Sequence, residues 1–283
     1  MVSERGMTLI ELVITITVGS IVVGFMSMFI TLPMNAYSAQ TRRATLVDSA
    51  DSALRFMARD IGGALPNSVR AGTSGSVSAL ELLVTIDGAR YRDGGPLANP
   101  ALELDLSTAD TAFSTTVPFT QLTLPWTSSS SYLSIANIGV PGADAYAGAN
   151  VITPAGTTIT IAAGASANAN QVTLNPGFQF NWGSSNKRVY LLSGPVSYLC
   201  DSAARTLTRY SGYTILPTQP LSAATLLLAG ATAARVATDV ASCAFTYAIG
   251  SPQRNALVTL SLQLANSGES IQLLQQVQLE NAP

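Results

Sequence analysis

The sequence contains no histidine, and only 11% of its residues are charged. Histidine is the commonest general base, a frequent ligand of catalytic zinc and the partner of most serine and cysteine nucleophiles. Its absence therefore removes the usual routes to hydrolysis, and no Gly-x-Ser-x-Gly motif replaces them. We expect a protein that is not an enzyme and that binds no cofactor.

Positive charge is also scarce, because Lys187 is the only lysine and the 14 basic residues are outnumbered by 16 acidic ones. Nucleic-acid binding requires clustered Lys and Arg side chains that neutralise phosphates. The sequence therefore predicts no nucleic-acid partner. Segment 87–93 superficially resembles a calcium loop, but two arginines between its carboxylates argue against a bound cation.

Only two cysteines are present, Cys200 and Cys243. If this part of the chain lies outside the cytoplasm, we expect them to form a disulfide. A closed loop of this length stabilises a fold by about 4 kcal/mol in the chain-entropy model. The alternative is a pair of buried free thiols.

One long apolar stretch dominates the N-terminal part of the chain. Between Met7 and Leu32 the only formal charge is Glu11, and the stretch is long enough to cross a bilayer as a helix. An unpaired carboxylate costs about 2.5–3.5 kcal/mol at the centre of a membrane and less near its edge. No basic residue follows before Arg42. Glu11 therefore needs a partner that residues 7–32 do not supply.

A cut after Gly6 would supply that partner. The new positive amine on Met7 would lie one helical turn from Glu11, in the same chain or in a neighbouring subunit. Pairing between subunits would set the axial register of packed helices. We therefore treat Gly6, Met7 and Glu11 as the candidate site.

The apolar stretch is followed by an amphipathic pattern. Apolar residues recur at spacings of three and four, which predicts a helix with one buried stripe. Asp51 and Arg55 are placed to pair one turn apart. The stripe consists of Leu46, Val47, Ala50, Ala53, Leu54, Met57, Ala58 and Ile61. Together with residues 7–32 it predicts one helix over 7–61, kinked at Pro33 and ended by Gly62-Gly63.

The remaining chain favours antiparallel strands. Alternating apolar residues predict strands at 80–86, which would end in a turn at Asp87-Gly88, and at 102–106, 188–192, 196–199 and 206–210. The clearest pattern is a C-terminal hairpin at 258–264 and 271–279, whose apolar face the helix stripe would cover. Residues 107–180 are rich in Ser, Thr, Ala, Gly and Asn, and we interpret them as a loop-rich insertion with short β segments at 151–161 and 171–174.

Residues 6–12, which read Gly-Met-Thr-Leu-Ile-Glu-Leu, resemble the class III signal of type IV pilins and pseudopilins. The resemblance implies that a prepilin peptidase cuts after Gly6 and methylates the amine of Met7, and that Glu11 is the assembly acid. Residue Met7 departs from the usual phenylalanine, and Pro33 falls later than in typical major pilins. The implied α+β fold has a leader at 1–6, a helix at 7–61 whose first half (7–32) is transmembrane, and a periplasmic β-rich head at 62–283.

Three further segments, 64–70, 238–245 and 276–283, resemble the MshO-type minor pilins of mannose-sensitive haemagglutinin (MSHA) pili. They resemble the J-type minor pseudopilins of type II secretion more loosely. The expected partners are other pilins, contacted through the N-terminal helix, together with the prepilin peptidase and the inner membrane. The expected location is the inner membrane, with the head in the periplasm, and then a filament at the cell surface. The alternatives are a secretion pseudopilin, a surface adhesin whose 107–180 insertion binds a ligand, and a membrane-anchored hydrolase.

Overall fold

A single helix of 54 residues, α1 (Leu9–Gly62), leads into a β-rich head. The computed structural model describes residues 6–94, 102–165, 169–250 and 254–279, apart from the side chain of Leu32. Helix α1 runs without interruption through Pro33, and the backbone N–H of Gly63 donates to the Arg59 carbonyl to close its last turn. The long apolar helix and the antiparallel β-rich head predicted from the sequence are both present.

The described strands form two antiparallel sheets. The strands are β1 (Arg70–Ser74), β2 (Val77–Tyr91), β3 (Asp110–Val117), β4 (Trp126–Ser128), β5 (Tyr132–Ser134), β6 (Thr158–Ala163), β7 (Asn170–Phe178), β8 (Arg188–Asp201), β9 (Thr206–Ser211), β10 (Thr232–Thr238), β11 (Val240–Ala248), β12 (Ala256–Asn266) and β13 (Glu269–Leu279). The larger sheet has the order β10-β9-β8-β2-β3-β7-β6-β4, with β1 beside β2 and β5 beside β8, and the smaller has the order β11-β12-β13. A short helix, α2 (Ala223–Leu228), precedes β10.

The main core lies between the second half of α1 and both sheets. Stripe residues such as Leu54, Met57 and Ile61 share one cluster with the inner face of β12 and with residues of β2 and β8. The predicted C-terminal hairpin is present, and Ser267 and Gly268 form its turn with positive φ angles of 48° and 86°. The helix stripe covers the apolar face of this hairpin, as its pattern predicts.

Residues 107–180 combine long loops with more strands than their composition suggested, and the segment predicted at 171–174 lies within β7. They contain β3 to β7, and they build a second core with the ends of β2 and β8. In β6 the buried residues Ile159 and Ile161 alternate with partly exposed Thr158 and Thr160. The predicted segment at 151–161 is therefore a strand only from Thr158 onward. The alternation of polar and apolar residues was hard to recognise because the strands are short. Ser, Thr and Ala also differ little from one another in hydrophobicity.

The turn predicted at Asp87-Gly88 is also wrong, because the strand continues through it. Strand β2 passes Asp87-Gly88 with a bulge, and the Asp87 carboxylate accepts hydrogen bonds from the backbone N–H groups of Gly88 (2.7 Å) and Gln121 (2.6 Å). Strand β8 likewise passes through Ser193-Gly194-Pro195 and joins the two short strands predicted there. In each case pairing between β2 and β8 outweighs the local turn preference of Gly and Pro.

The strand predicted at 102–106 does not form. Instead, the Asp105 carboxylate organises a loop by accepting hydrogen bonds from the Ser107 backbone N–H (2.7 Å), the Ser107 hydroxyl (2.6 Å) and the Thr108 hydroxyl (2.8 Å). These bonds favour the charged form and lower the pKa of Asp105 to about 2. Leu104 and Leu106 still pack against the second core. The alternating apolar residues therefore mark a loop with a buried side and not a strand.

Polar contacts fix the end of α1 to the large sheet. The Asp60 carboxylate accepts a hydrogen bond from the Tyr198 hydroxyl (2.7 Å) and one from Arg209 Nε (2.8 Å). Burial raises the pKa of Tyr198, and its bond to Asp60 raises it further, so the hydroxyl remains a donor. The helix is thereby held to β8 and β9 at the point where the chain enters the head.

The variant Asp60→Ala should lose about 2–3 kcal/mol of unfolding free energy, because the buried Tyr198 hydroxyl and the partly buried Arg209 side chain lose a charged acceptor. Urea unfolding of the full chain in detergent, followed by tryptophan fluorescence, measures the loss. The matched control is Asp51→Ala, which removes the exposed Asp51–Arg55 pair on the same helix and should cost less than about 1 kcal/mol. Equal losses in the two variants would show that Asp60 does not anchor the helix.

Candidate functional site at the start of the long helix

The first half of α1 projects away from the head. Every residue whose exposure is described between Gly6 and Tyr37 is exposed, including Leu9 at 81% and Phe29 at 77%. Residues 9–37 span about 43 Å at 1.5 Å per residue, which exceeds the roughly 30 Å of a bilayer core. Within the described ranges, α1 is the one helix long and apolar enough to cross a membrane. This surface requires lipid or other apolar helices around it.

Most of the hydroxyl groups on this half of the helix donate hydrogen bonds to the helix's own backbone. Thr15, Thr17 and Thr31 each donate to a backbone carbonyl one turn earlier, at 2.8–2.9 Å. A hydroxyl bonded in this way does not demand water. These polar residues are therefore compatible with an apolar environment.

Gly6 and Met7 precede the helix in non-helical, exposed backbone. No atom lies within 4 Å of the position a Cβ on Gly6 would take, apart from its immediate neighbours in the chain. Thr8 is the N-cap, with an extended backbone (φ −79°, ψ 152°). The Gly6–Met7 bond is thus accessible to a peptidase, which requires an exposed segment.

Glu11 and Thr8 form a capping box. The Thr8 hydroxyl oxygen accepts from the Glu11 backbone N–H, and the Thr8 backbone N–H donates to Glu11 Oε2, both at 3.4 Å. A carboxylate at this position also interacts favourably with the positive end of the helix dipole. The side chain is therefore turned back toward the start of the helix.

The carboxylate of Glu11 has no basic partner among the described residues. It lies over the backbone nitrogen of Thr8, which is the residue directly after Met7. A cut after Gly6 would place a positive amine on that neighbouring residue. The structure thus brings Gly6, Met7 and Glu11 together at one exposed end, and Glu11 already faces the side on which the amine would appear.

The two cysteines are in the head. The structure joins Cys200 of β8 to Cys243 of β11 in a disulfide, with Cα atoms 6.4 Å apart. Beside it, the Ser78 hydroxyl donates to the Cys243 carbonyl at 3.0 Å. The bond therefore links the large sheet to the small one and has no direct role at the start of α1.

The head contains a buried ionic cluster that was not predicted from the sequence. Arg70 Nε lies 2.6 Å from Glu81 Oε2, and the Tyr213 hydroxyl donates to Glu81 Oε1 at 2.9 Å. Glu81 is fully buried, and burial raises its pKa, while Arg70 and Tyr213 oppose the shift. A prediction of the β1–β2 hairpin would have revealed this pair, because the hairpin places Arg70 directly opposite Glu81.

Other candidate chemistry is sparse in the head. Within the described ranges no group of three or more His, Cys, Asp or Glu side chains is placed to hold a metal ion. Trp126 packs against the second core. Trp182 is 54% exposed, and its Nε1–H donates to the Gly142 carbonyl at 3.0 Å, so its orientation is fixed.

Comparison with known proteins identifies the N-terminal segment. Residues 1–27 match the family model described as the prokaryotic N-terminal methylation motif. No curated protein and no solved structure matches the chain significantly. The matched motif indicates a type IV pilin-like prepilin N-terminus, and it implies processing by a prepilin peptidase and association with a membrane.

The variant Gly6→Val should be cleaved about tenfold less than the natural chain, because a branched side chain adds bulk beside the bond to be cut. Immunoblotting of cells that express the peptidase separates the cut and uncut forms. The matched control is Gly19→Val, whose added side chain also meets open space but lies inside the helix. Normal cleavage of Gly6→Val would contradict a cut at this bond.

Proposed function

We propose that the chain is a non-enzymatic minor pilin that helps to start or cap an MSHA-like type IV pilus. The observation that carries the proposal is the prepilin motif at the exposed end of a projecting apolar helix, joined to a large β-rich head. A helix of this kind is suited to anchoring a subunit and to packing among similar helices. The absence of histidine supports a role without catalysis.

The helix would serve two environments in succession. Before assembly, residues 7–32 lie in the inner membrane and the head lies in the periplasm. During assembly, the helices of other pilins replace lipid around the same surface. Since both environments are apolar, the exposed side chains of α1 need no rearrangement between them.

Glu11 would set the axial position of the subunit. In an apolar surrounding, its carboxylate and the methylated amine of Met7 each require an opposite charge, and methylation leaves the amine positive. A neighbouring subunit satisfies both groups at one stagger of the two helices. A wrong stagger leaves a charge unpaired and is therefore disfavoured.

The head supports a position at the end of a filament. It contains a second core built from residues 107–180, so it is bulkier than one sheet packed on a helix. A bulky head is tolerated best where no subunit stacks above it. The resemblance of segments 64–70, 238–245 and 276–283 to MshO-type minor pilins supports a pilus subunit, and their looser resemblance to J-type pseudopilins keeps a secretion subunit as the alternative.

Deletion of the chain from cells that carry MSHA-like pili tests this function. We expect electron microscopy to show far fewer filaments, with recovery when the natural chain is restored. Immunoblots of sheared filaments should find the chain at low copy. If filaments persist but protein secretion fails, the chain is a secretion pseudopilin. If filaments persist and only surface attachment fails, the head is an adhesin.

A further inference from the structure

Strand β11 has a free edge. It forms one side of the smaller sheet, and among the described strands it pairs with β12 alone. The Cys243 carbonyl accepts from the Ser78 side chain and therefore points away from β12. In an antiparallel strand the backbone groups of alternate residues point the same way, so those of Phe245 and Tyr247 also point away from β12. In the described part of the chain no backbone hydrogen bond from outside the sheet reaches them.

A groove of about 470 Å³ runs along this edge. Val69 and Ala71 of the β1 region line it, as do Phe245 and Tyr247 of β11. Ile138 and Tyr146, from the loop region after β5, line it as well. Ile138 is 49% exposed, and Ile249, just past the end of β11, is 71% exposed. The groove thus combines an unpaired strand edge with an apolar rim.

The groove also carries one uncompensated charge. Asp144 lies in its wall, and Asp144 Oδ1 accepts from the Tyr146 backbone N–H at 2.9 Å. Arg70 lines the groove as well, but its charge is balanced by Glu81 and its other N–H groups donate to the Leu216 and Pro217 carbonyls. No basic side chain in the described ranges forms an ion pair with Asp144. The site is therefore negative.

We propose that this groove binds an extended segment of another protein, which adds a strand to the free edge of β11. The backbone of the segment pairs with Phe245 and Tyr247, an apolar side chain packs on Ile138, and a Lys or Arg side chain meets Asp144. A helix would leave the strand edge unpaired, and an acidic segment would meet the carboxylate. This recognition mode is β-strand addition, in which the main chain provides affinity and alternate side chains provide specificity. The site is separate from the projecting helix and does not depend on the proposed pilus role.

The test uses the full chain in detergent and a series of fluorescein-labelled heptapeptides. Each peptide alternates valine and threonine and contains one lysine, which occupies a different position in each member of the series. We expect at least one register to bind saturably below about 1 mM by fluorescence anisotropy. N-methylation of the amides that face β11 should abolish binding, whereas N-methylation of the opposite amides should not. This comparison isolates strand pairing, because both modified peptides have the same composition.

Variants of the groove complete the test. Ile138→Ser should weaken binding about fivefold, while Val117→Ser, at a similarly exposed residue of β3, should leave it unchanged. Asp144→Asn keeps an acceptor for Tyr146 and should weaken binding about threefold at low salt but not in 1 M salt. The proposal is overturned if no peptide binds at any lysine position. It is also overturned if neither N-methylation nor Ile138→Ser changes the affinity. It is also overturned if the chain associates with itself through Ile138 and the peptides do not compete.

Discussion

Glu11→Gln will leave the chain folded, inserted and cleaved, but its incorporation into filaments will fall by about tenfold or more. The reason is that the variant leaves the amine of Met7 without an opposite charge among apolar helices. A loss of about 1.4 kcal/mol suffices for a tenfold change, and an unpaired charge in a membrane costs more than that at its centre. Quantitative immunoblots of sheared filaments, normalised to the membrane fraction, measure the incorporation.

The choice of glutamine separates charge from helix capping. Glutamine can still accept the hydrogen bond from the Thr8 backbone N–H, so the capping box is retained. Asp48→Asn is the matched control, because it removes an exposed carboxylate elsewhere on the same helix. Normal incorporation of Glu11→Gln would show that the charge of Glu11 is not required for assembly. A loss that appears equally in Asp48→Asn would assign the effect to net charge.

Arg70→Met will destabilise the head by about 3–5 kcal/mol, the typical cost of leaving one partner of a buried ion pair uncompensated. Glu81 is fully buried and Arg70 supplies its only opposite charge within the described residues. Urea unfolding of the full chain in detergent, followed by tryptophan fluorescence, gives the free energy of unfolding. An unchanged midpoint would mean that Glu81 finds another donor.

The loss in Arg70→Met should grow with pH. Without Arg70, burial acts on Glu81 with less opposition and raises its pKa further above the ordinary 4.5. The folded variant then holds the proton more tightly than the unfolded chain, so its stability falls as the pH rises above 4.5. The deficit relative to the natural chain should therefore be larger at pH 7 than at pH 4.5. A deficit that shrinks over this range would contradict the assignment.

The double variant Arg70→Met with Glu81→Met is the control for this cluster. Replacing both partners by apolar groups removes the buried charge, and such replacements are often close to neutral. We expect the double variant to be more stable than Arg70→Met alone. If it is less stable, packing of the Arg70 side chain on the Tyr146 ring, 3.7 Å from its centroid, contributes more than the ion pair.

Features carried by long local patterns could be predicted from the sequence. The stripe that ends at Ile61 repeats over several turns, and the hairpin around Ser267 alternates over nine or more residues on each side. Both patterns report a buried face directly. The candidate site at residues 6–12 could also be predicted, because its chemistry depends on residues that are neighbours in sequence.

Features that depend on distant pairing could not be predicted in this way. The Asp87-Gly88 sequence favours a turn locally, yet pairing of β2 with β8 keeps the strand extended. The burial of Glu81 depends on Tyr213 and on the surrounding sheets, which lie far from Glu81 in sequence. In residues 107–180, the short strands rich in Thr and Ala cannot be recognised from their own residues. They are defined by pairing with neighbouring strands.

Mass spectrometry of the mature N-terminus, on chain purified from cells that contain the prepilin peptidase, is the decisive measurement of processing. We expect a chain that begins at Met7 and carries one methyl group on its amine. That result would place a positive charge beside Glu11, as the proposed pairing between subunits requires. A chain that retains Met1, or one cut at a bond other than Gly6–Met7, would refute the proposed processing.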